Sequence, residues 1–392
     1  MIPSFTFARI PHIIFGAGKL GELYEIIPKF GKNILFITGK SSLKNSGKWD
    51  EISAALDYKS LNYLQFSISS EPSPTLIDDA ATEFRKKNIE LIVSIGGGSV
   101  IDAGKAISAM IPKEDSIKNY LEGVGTKIHD GKKLPFIAIP TTSGTGSEAT
   151  KNAVISEIGP NGFKKSLRHE NFIPEVALID PQFMVPCPPS ISAACGMDAF
   201  TQLIEAYVSP QGNPMTDALA VSGMKFIIQN LIPACSSGAS RIEVRASLAY
   251  ASLISGIALA NAGLGIVHGL ASAIGGLFDI PHGVICGTLL AEATRMNIKK
   301  LLEQGSNGVA GLRKYADIGM LFSDKKKKNI VENCSILVKT LDKWTNDLKL
   351  ARLNKYSIKV EDLKLIVDKT GIKNNPVRLK KDEIRTIITN RL

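Results

Sequence analysis

Apolar residues follow two different rhythms along this chain. Up to about residue 185, short unbroken apolar runs alternate with longer mixed stretches. Ile34–Thr38 (ILFIT), Leu91–Ile95 (LIVSI), Phe136–Ile139 and Val176–Ile179 have the continuous apolar character of strands covered on both faces of a parallel sheet. Arg9–Phe15 adds a short strand stopped by Gly16-Ala17-Gly18. Between these runs, Leu20–Ile27, Thr75–Lys87 (Pro74 near its start) and roughly Val100–Met110 carry helical spacing. The alternation predicts an α/β domain over residues 1–185, with a Rossmann-like parallel sheet and helices on its faces. Ligands of such sheets bind beyond the carboxyl ends of the strands. Three of those ends run into small-residue turns: Gly39-Lys40-Ser41-Ser42, Gly96-Gly97-Gly98-Ser99 and the stretch from Pro140 to Ser147.

From about Pro186 the strand signals fade. Ile191–Val208, Met215–Ile232, Arg241–Leu259 and Ala262–Leu277 read as helices, and the remainder, including Trp344, as amphipathic helix. A second, all-α domain over 186–392 is expected, with its boundary at Pro186-Cys187-Pro188-Pro189. Ala246–Gly276 has no charged residue and is long enough to cross a bilayer. Its glycines, serines, Asn261 and His268 fit helices buried in a soluble core better, so no membrane partner is expected.

Composition narrows the picture. With 44% hydrophobic and 21% charged residues over 392, the chain can build a large core. The net charge of +10 is modest for this length, and part of it lies in the run Lys325–Lys328, which reads as a solvated helix end or loop. No aromatic interleaving or nucleic-acid motif accompanies it. Five cysteines without CxxC spacing argue against a disulfide framework and a zinc knuckle. The start of the chain lacks the pattern of a signal peptide, and a cytoplasmic enzyme is expected.

The candidate chemistry centres on Ile266–Gly283. This stretch holds His268 and His282, two of only five histidines, without a Lys or Arg nearby. Imidazoles in such surroundings are either tied up by a buried hydrogen bond or bound to a metal. Upstream, Asp198 and Gln202 are four apart on one predicted helix face, a carboxylate with an amide oxygen; a helix-start Asp and a surface Gln is the plainer reading. Gly96–Ser99 follows a strand and opens a helix, the geometry in which bare N–H groups hold a phosphate. It is not the GxGxxG fingerprint, and a plain tight turn stays open. Asp102 and Lys105 follow in the first turns, where Lys105 could meet a phosphate or the nicotinamide side of a cofactor.

The set GGGSVIDAGKAIS, PTTSGTGSEAT, PEVALIDP, GMDAFTQLIEAYVS and NAGLGIVHGLASAIGGLFDIPHGV, with the opening IPHIIFGAGKLGEL, resembles the iron-containing (group III) alcohol dehydrogenases from about residue 8 to about 290. The resemblance implies a dehydroquinate synthase-like two-domain architecture with cofactor and metal between the domains. It also implies NAD(P)-linked interconversion of a small alcohol and an aldehyde or ketone, and a homodimer. It places Gly97, Gly98, Ser99 and Asp102 on the cofactor, Thr141, Thr142, Gly144 and Thr145 on its phosphates and ribose, and Asn152 close by. Asp198, His268 and His282 match three of the family's four metal ligands, with Fe2+ the expected ion and Zn2+ the alternative.

Three departures accompany the match. Gln202 stands where the family has a histidine ligand, and its amide oxygen is the candidate fourth donor. Ser272 stands where a second histidine lies beside the nicotinamide; a proton path through water, the ribose hydroxyl and Ser272 is the expectation there. Gly39, followed by Lys40, Ser41 and Lys44, stands where NAD-preferring relatives carry an Asp, which favours NADP over NAD. Two other readings remain: a dehydroquinate synthase-like lyase, and a nucleotide-binding relative that has lost catalysis.

Overall fold

The computed structural model describes residues 2, 4–40, 42–323 and 329–392. Ser41 and the run Lys325–Lys328 therefore lie outside the described residues.

The buried apolar runs form the expected sheet. Six strands, β1 (His12–Phe15), β2 (Asn33–Gly39), β3 (Asn62–Ile68), β4 (Leu91–Gly96), β5 (Phe136–Pro140) and β8 (Val176–Ile179), pair in the order β1-β8-β5-β4-β2-β3, all parallel. Every side chain of β4, β5 and β8 is buried, which is why these strands lack polar alternation. After β2 the chain runs outward to β3, then returns to the other side of β2 as β4. The strand order thus reverses between β2 and β4, which sets the crevice beyond their carboxyl ends as the place for a ligand.

Two elements carry no clear mark in the hydrophobic pattern. Strand β3 is an edge strand whose side chains are mostly exposed or half-buried, so it shows no apolar run. Strands β6 (Asn152–Glu157) and β7 (Phe163–Arg168) form a separate antiparallel hairpin. The Gly276 end of a helix packs on that hairpin: the Gly159 amide donates to Gly276 O at 3.1 Å, and a methyl group at Gly276 would lie 2.8 Å from Phe163 Cα.

From Pro189 onward, helices and single turns are the only regular elements among the described residues. Helices Pro189–Val208, Pro214–Ala234 and Ile242–Ala262 pack on one another around a continuous apolar core. Ile242–Ala262 is apolar and long enough to cross a membrane, yet two-thirds of its apolar window is buried inside the protein. The helix expected from Ala262 starts instead at Ile266. Gly263, at φ +71°, ends the preceding helix, and the amide of Asn374 holds the break open by donating to Leu264 O at 2.9 Å. Helices Ile266–Leu277 and His282–Glu303 then meet at a short turn through Pro281.

Candidate active site and metal centre

The two glycine-rich turns are built as one surface. β4 and β5 pair in register to their ends, Gly96 against Pro140, and the Thr141 amide donates to Gly96 O at 2.9 Å. A methyl group at Gly98 would lie 2.5 Å from Thr145 Cγ2, and one at Gly97 would lie 3.3 Å from Thr142 Oγ1. The glycines therefore let the second loop lie directly on the first. The helix Gly98–Met110 starts here, and the Gly98 and Ser99 N–H groups have no intrahelical acceptor, which suits an anion. The second loop also sits on the helical region. Gly146, at φ +62°, approaches Gly256 so closely that a methyl group would lie 2.5 Å from its Cα, and one at Gly144 would meet Cys195 Cβ at 2.9 Å.

Behind the loops lies a buried ionic group. The Lys105 ammonium donates to the carbonyls of Ser147, Thr150 and Asn152 at 2.8, 2.8 and 2.9 Å. All three of its protons are thereby directed at the loop backbone. This corrects the sequence expectation that Lys105 meets a phosphate or the nicotinamide side: its ammonium braces the backbone of the second loop. Asp102 accepts from the Val154 amide through Oδ2, while its buried Oδ1 has no partner. Burial pushes the Asp102 carboxyl up to about 6 and the Glu148 carboxyl up to about 7, with Lys105 opposing both.

The second half of the site lies in the helices. Asp198 is in the middle of Pro189–Val208, His268 in the first turn of Ile266–Leu277, and His282 opens His282–Glu303. His268 Nε2 lies 3.4 Å and His282 Nε2 3.7 Å from Asp198 Oδ1. That oxygen is buried without a hydrogen-bond partner. A bare buried carboxylate oxygen facing two imidazole nitrogens is costly unless a cation joins them, so this donor set fits a divalent metal. Burial works against ionised Asp198, but His282 and His268 outweigh it and hold the carboxyl below its usual range. Burial holds His282 below the ordinary histidine range, with Asp198 opposing it. Its side chain is 24% exposed against 2% for Asp198 and 5% for His268, so the cluster opens on the His282 side.

Glu205 fixes the geometry. Its Oε2 lies 2.7 Å from His268 Nδ1 and its Oε1 accepts from the Val267 amide at 2.7 Å. One carboxylate thus docks the start of the helix and turns His268 Nε2 toward Asp198.

Comparison with known proteins agrees with this geometry. The family model for iron-containing alcohol dehydrogenase matches residues 11–181, and that for the Fe-containing alcohol dehydrogenase family, C-terminal, matches residues 192–392. The chain belongs to the iron-containing alcohol dehydrogenase family. It is 37% identical over 299 residues to alcohol dehydrogenase 4 of Schizosaccharomyces pombe, covering 76% of this chain and 68% of that protein. It is 32% identical to an NAD-dependent methanol dehydrogenase of Bacillus methanolicus, covering 76% and 80%. A crystal structure of 1,3-propanediol oxidoreductase superposes with a TM-score of 0.86 at 29% identity, covering all of both chains. The chain is accordingly an alcohol oxidoreductase with the family's two-part fold, a parallel six-stranded sheet followed by helices.

Within this family plan, Gly97, Gly98, Ser99, Asp102, Thr141, Thr142, Gly144, Thr145 and Asn152 all lie on the two paired turns, the helix they open or the start of the hairpin. Gly39 ends β2 at the crevice. Asp198, His268 and His282 come together. Gln202 is buried one turn beyond Asp198, with Oε1 2.7 Å from the Ser255 hydroxyl. The plainer reading of Asp198 and Gln202 as a helix start and a surface residue does not hold. Ser272 lies one turn beyond His268 and donates its hydroxyl proton to His268 O at 2.8 Å.

The sequence reading missed two residues. Glu205 is seven positions after Asp198, on the same helix face, and that spacing was the available signal. Cys286 lies one turn after His282, with Sγ 3.8 Å from His268 Nε2 and 3.7 Å from His282 Nε2. The i, i+4 spacing of His282 and Cys286 could have revealed it. All five cysteines are free thiols.

Proposed function

We propose that this chain is a metal-dependent NAD(P)-linked alcohol dehydrogenase or aldehyde reductase acting on a small alcohol or carbonyl substrate. The observation that carries the reading is the convergence of Asp198 Oδ1, His268 Nε2 and His282 Nε2 around a carboxylate oxygen with no other partner. A divalent cation held there, Fe2+ by family likeness or Zn2+, supplies Lewis-acid polarisation of the substrate oxygen. Glu205 keeps His268 turned toward the site. The N–H groups opening the helix at Gly98, with the loop from Thr141 to Thr145, receive the cofactor's phosphates, and Asp102 offers its free Oδ1 to a donor on it. The Ser272 hydroxyl spends its proton on His268 O, so it serves a proton path as an acceptor through its lone pairs.

The finer assignments follow from the same residues. Gly39 at the end of β2 puts no carboxylate where a ribose 2′-phosphate would lie, so NADP is the preferred cofactor and NAD the alternative. Residues 1–185 form the dinucleotide domain and 186–392 the metal and substrate domain. The enzyme is cytoplasmic and homodimeric, with no nucleic-acid or membrane partner.

The test is aldehyde-dependent oxidation of NADPH and NADH by the full chain, reconstituted with Fe2+ or Zn2+ under anaerobic conditions. Turnover that a chelator abolishes is expected, faster with NADPH, with Gly39→Asp reversing the preference. Cofactor binding without turnover on any alcohol or aldehyde would favour a binding protein. Phosphate release from a phosphorylated, carboxylated sugar would favour the lyase.

A further inference from the structure

Resting on the metal-dependent reading of the same site, we infer that the fourth protein donor is the Cys286 sulfur and not the Gln202 amide, which makes an Asp-His-His-Cys site that prefers zinc to iron. Four donor atoms, Asp198 Oδ1, His268 Nε2, His282 Nε2 and Cys286 Sγ, lie within 4.8 Å of one another. Four of their six separations lie close to those around one tetrahedral ion. With metal–nitrogen near 2.0 Å and metal–sulfur near 2.3 Å, a tetrahedron sets nitrogen and sulfur about 3.5 Å apart. The observed separations from Cys286 Sγ are 3.8 Å to His268 and 3.7 Å to His282. For nitrogen and carboxylate oxygen, both near 2.0 Å from the ion, the same geometry gives about 3.3 Å. The observed values are 3.4 and 3.7 Å.

Gln202 is placed differently. It shares a helix face with Asp198, but its carbonyl oxygen is 2.7 Å from the Ser255 hydroxyl, on the neighbouring helix Ile242–Ala262. Cys286 is fully buried, and its sulfur has two imidazole nitrogens as its hydrogen-bond-range neighbours. Helix geometry explains the placement: His282 and Cys286, four apart, project from the same face of His282–Glu303. Gln202 stands where the motif resemblance implies a histidine, and Cys286 brings a sulfur into the same cluster from another helix. On binding, the S–H bond breaks, a sulfur–metal bond forms and the proton leaves to water. Thiolate with imidazole is the donor chemistry of zinc sites, whereas carboxylate-rich sets suit harder ions.

The test uses the metal-free full chain titrated with Co2+, a spectroscopic stand-in for zinc. The wild type should bind one Co2+ and develop a near-ultraviolet thiolate-to-cobalt charge-transfer band. Cys286→Ser should lose that band and bind Co2+ at least about tenfold more weakly, while Gln202→Ala keeps the band. Competition between Zn2+ and Fe2+ should favour Zn2+ in the wild type by more than in Cys286→Ser. One bound Co2+ without the band in the wild type, or a band that survives Cys286→Ser, would overturn the sulfur ligand while leaving the metal-dependent reading intact. No bound Co2+, Zn2+ or Fe2+ in the wild type would overturn both. Should Cys286→Ser fail to fold, the wild-type spectrum alone still decides whether sulfur is a ligand.

Discussion

The two halves of the candidate site are built by different means. On the sheet side the surface is built from backbone: β4 and β5 paired to their last residues, two turns lying on each other, and glycines whose hydrogens leave no room for a methyl group. On the helical side it rests on a few side chains, Asp198, His268, His282, Glu205 and Cys286, brought from three helices. A backbone surface tolerates little change, because a Cβ at Gly98 or Gly146 meets a neighbour at 2.5 Å. A cluster of side chains can lose one donor and recruit another. In this chain the glycine turns are of the first kind and the cluster of Asp198, His268, His282 and Cys286 is of the second.

The comparison can be broken or sharpened by mutation, beginning with the largest effect. Asp198→Ala removes the oxygen that both imidazoles face. It should lower kcat/KM by about three orders of magnitude, about 4 kcal/mol, with cofactor affinity nearly unchanged by fluorescence titration. A matching loss of cofactor binding would mean the two halves are not separable. Lys105→Met should act on the other half as a stability variant. Three buried carbonyls lose their donor, so denaturant unfolding should show a loss of at least about 3 kcal/mol. If the KM for cofactor rises sharply while stability holds, Lys105 touches the cofactor after all.

A smaller effect depends on pH. Burial raises the Glu148 carboxyl from its ordinary 4.5 to about 7. The folded state then binds that proton more tightly than the unfolded state. The stabilisation is fully present below about pH 4.5 and is lost as pH rises through about 7, up to about 3 kcal/mol. Glu148→Gln should flatten the fall in unfolding free energy between pH 5 and pH 7. An unchanged slope would show that Glu148 is not the group responsible. Glu205→Gln keeps the shape but weakens the grip on His268, and metal affinity measured by chelator competition should fall ten- to a hundredfold. No change would mean that helix packing alone orients the imidazole.

Legibility in the sequence divides along the same line. The buried strands, the glycine turns and the shift from sheet to helices could be read because continuous burial and tight turns restrict residue type over many consecutive positions. Strand β3 could not, since its half-exposed edge position removes the apolar run, nor could the hairpin β6–β7, which lies outside the main sheet. Asp198, His268 and His282 stood out as polar residues in apolar surroundings and through family motifs. Cys286 did not, because a buried cysteine is ordinary in a core and only the fold shows which nitrogens it faces. Lys105 was misread because its position near a phosphate-binding turn says nothing of where its ammonium points. The three carbonyls that hold it belong to a loop some forty residues later in the chain.

The most direct test of the central claim is elemental analysis of the full chain purified without chelator, wild type against Asp198→Ala. One divalent ion per chain in the wild type and none in the variant is the predicted result. Alcohol-dependent turnover by a wild-type protein that carries no tightly bound metal would contradict it.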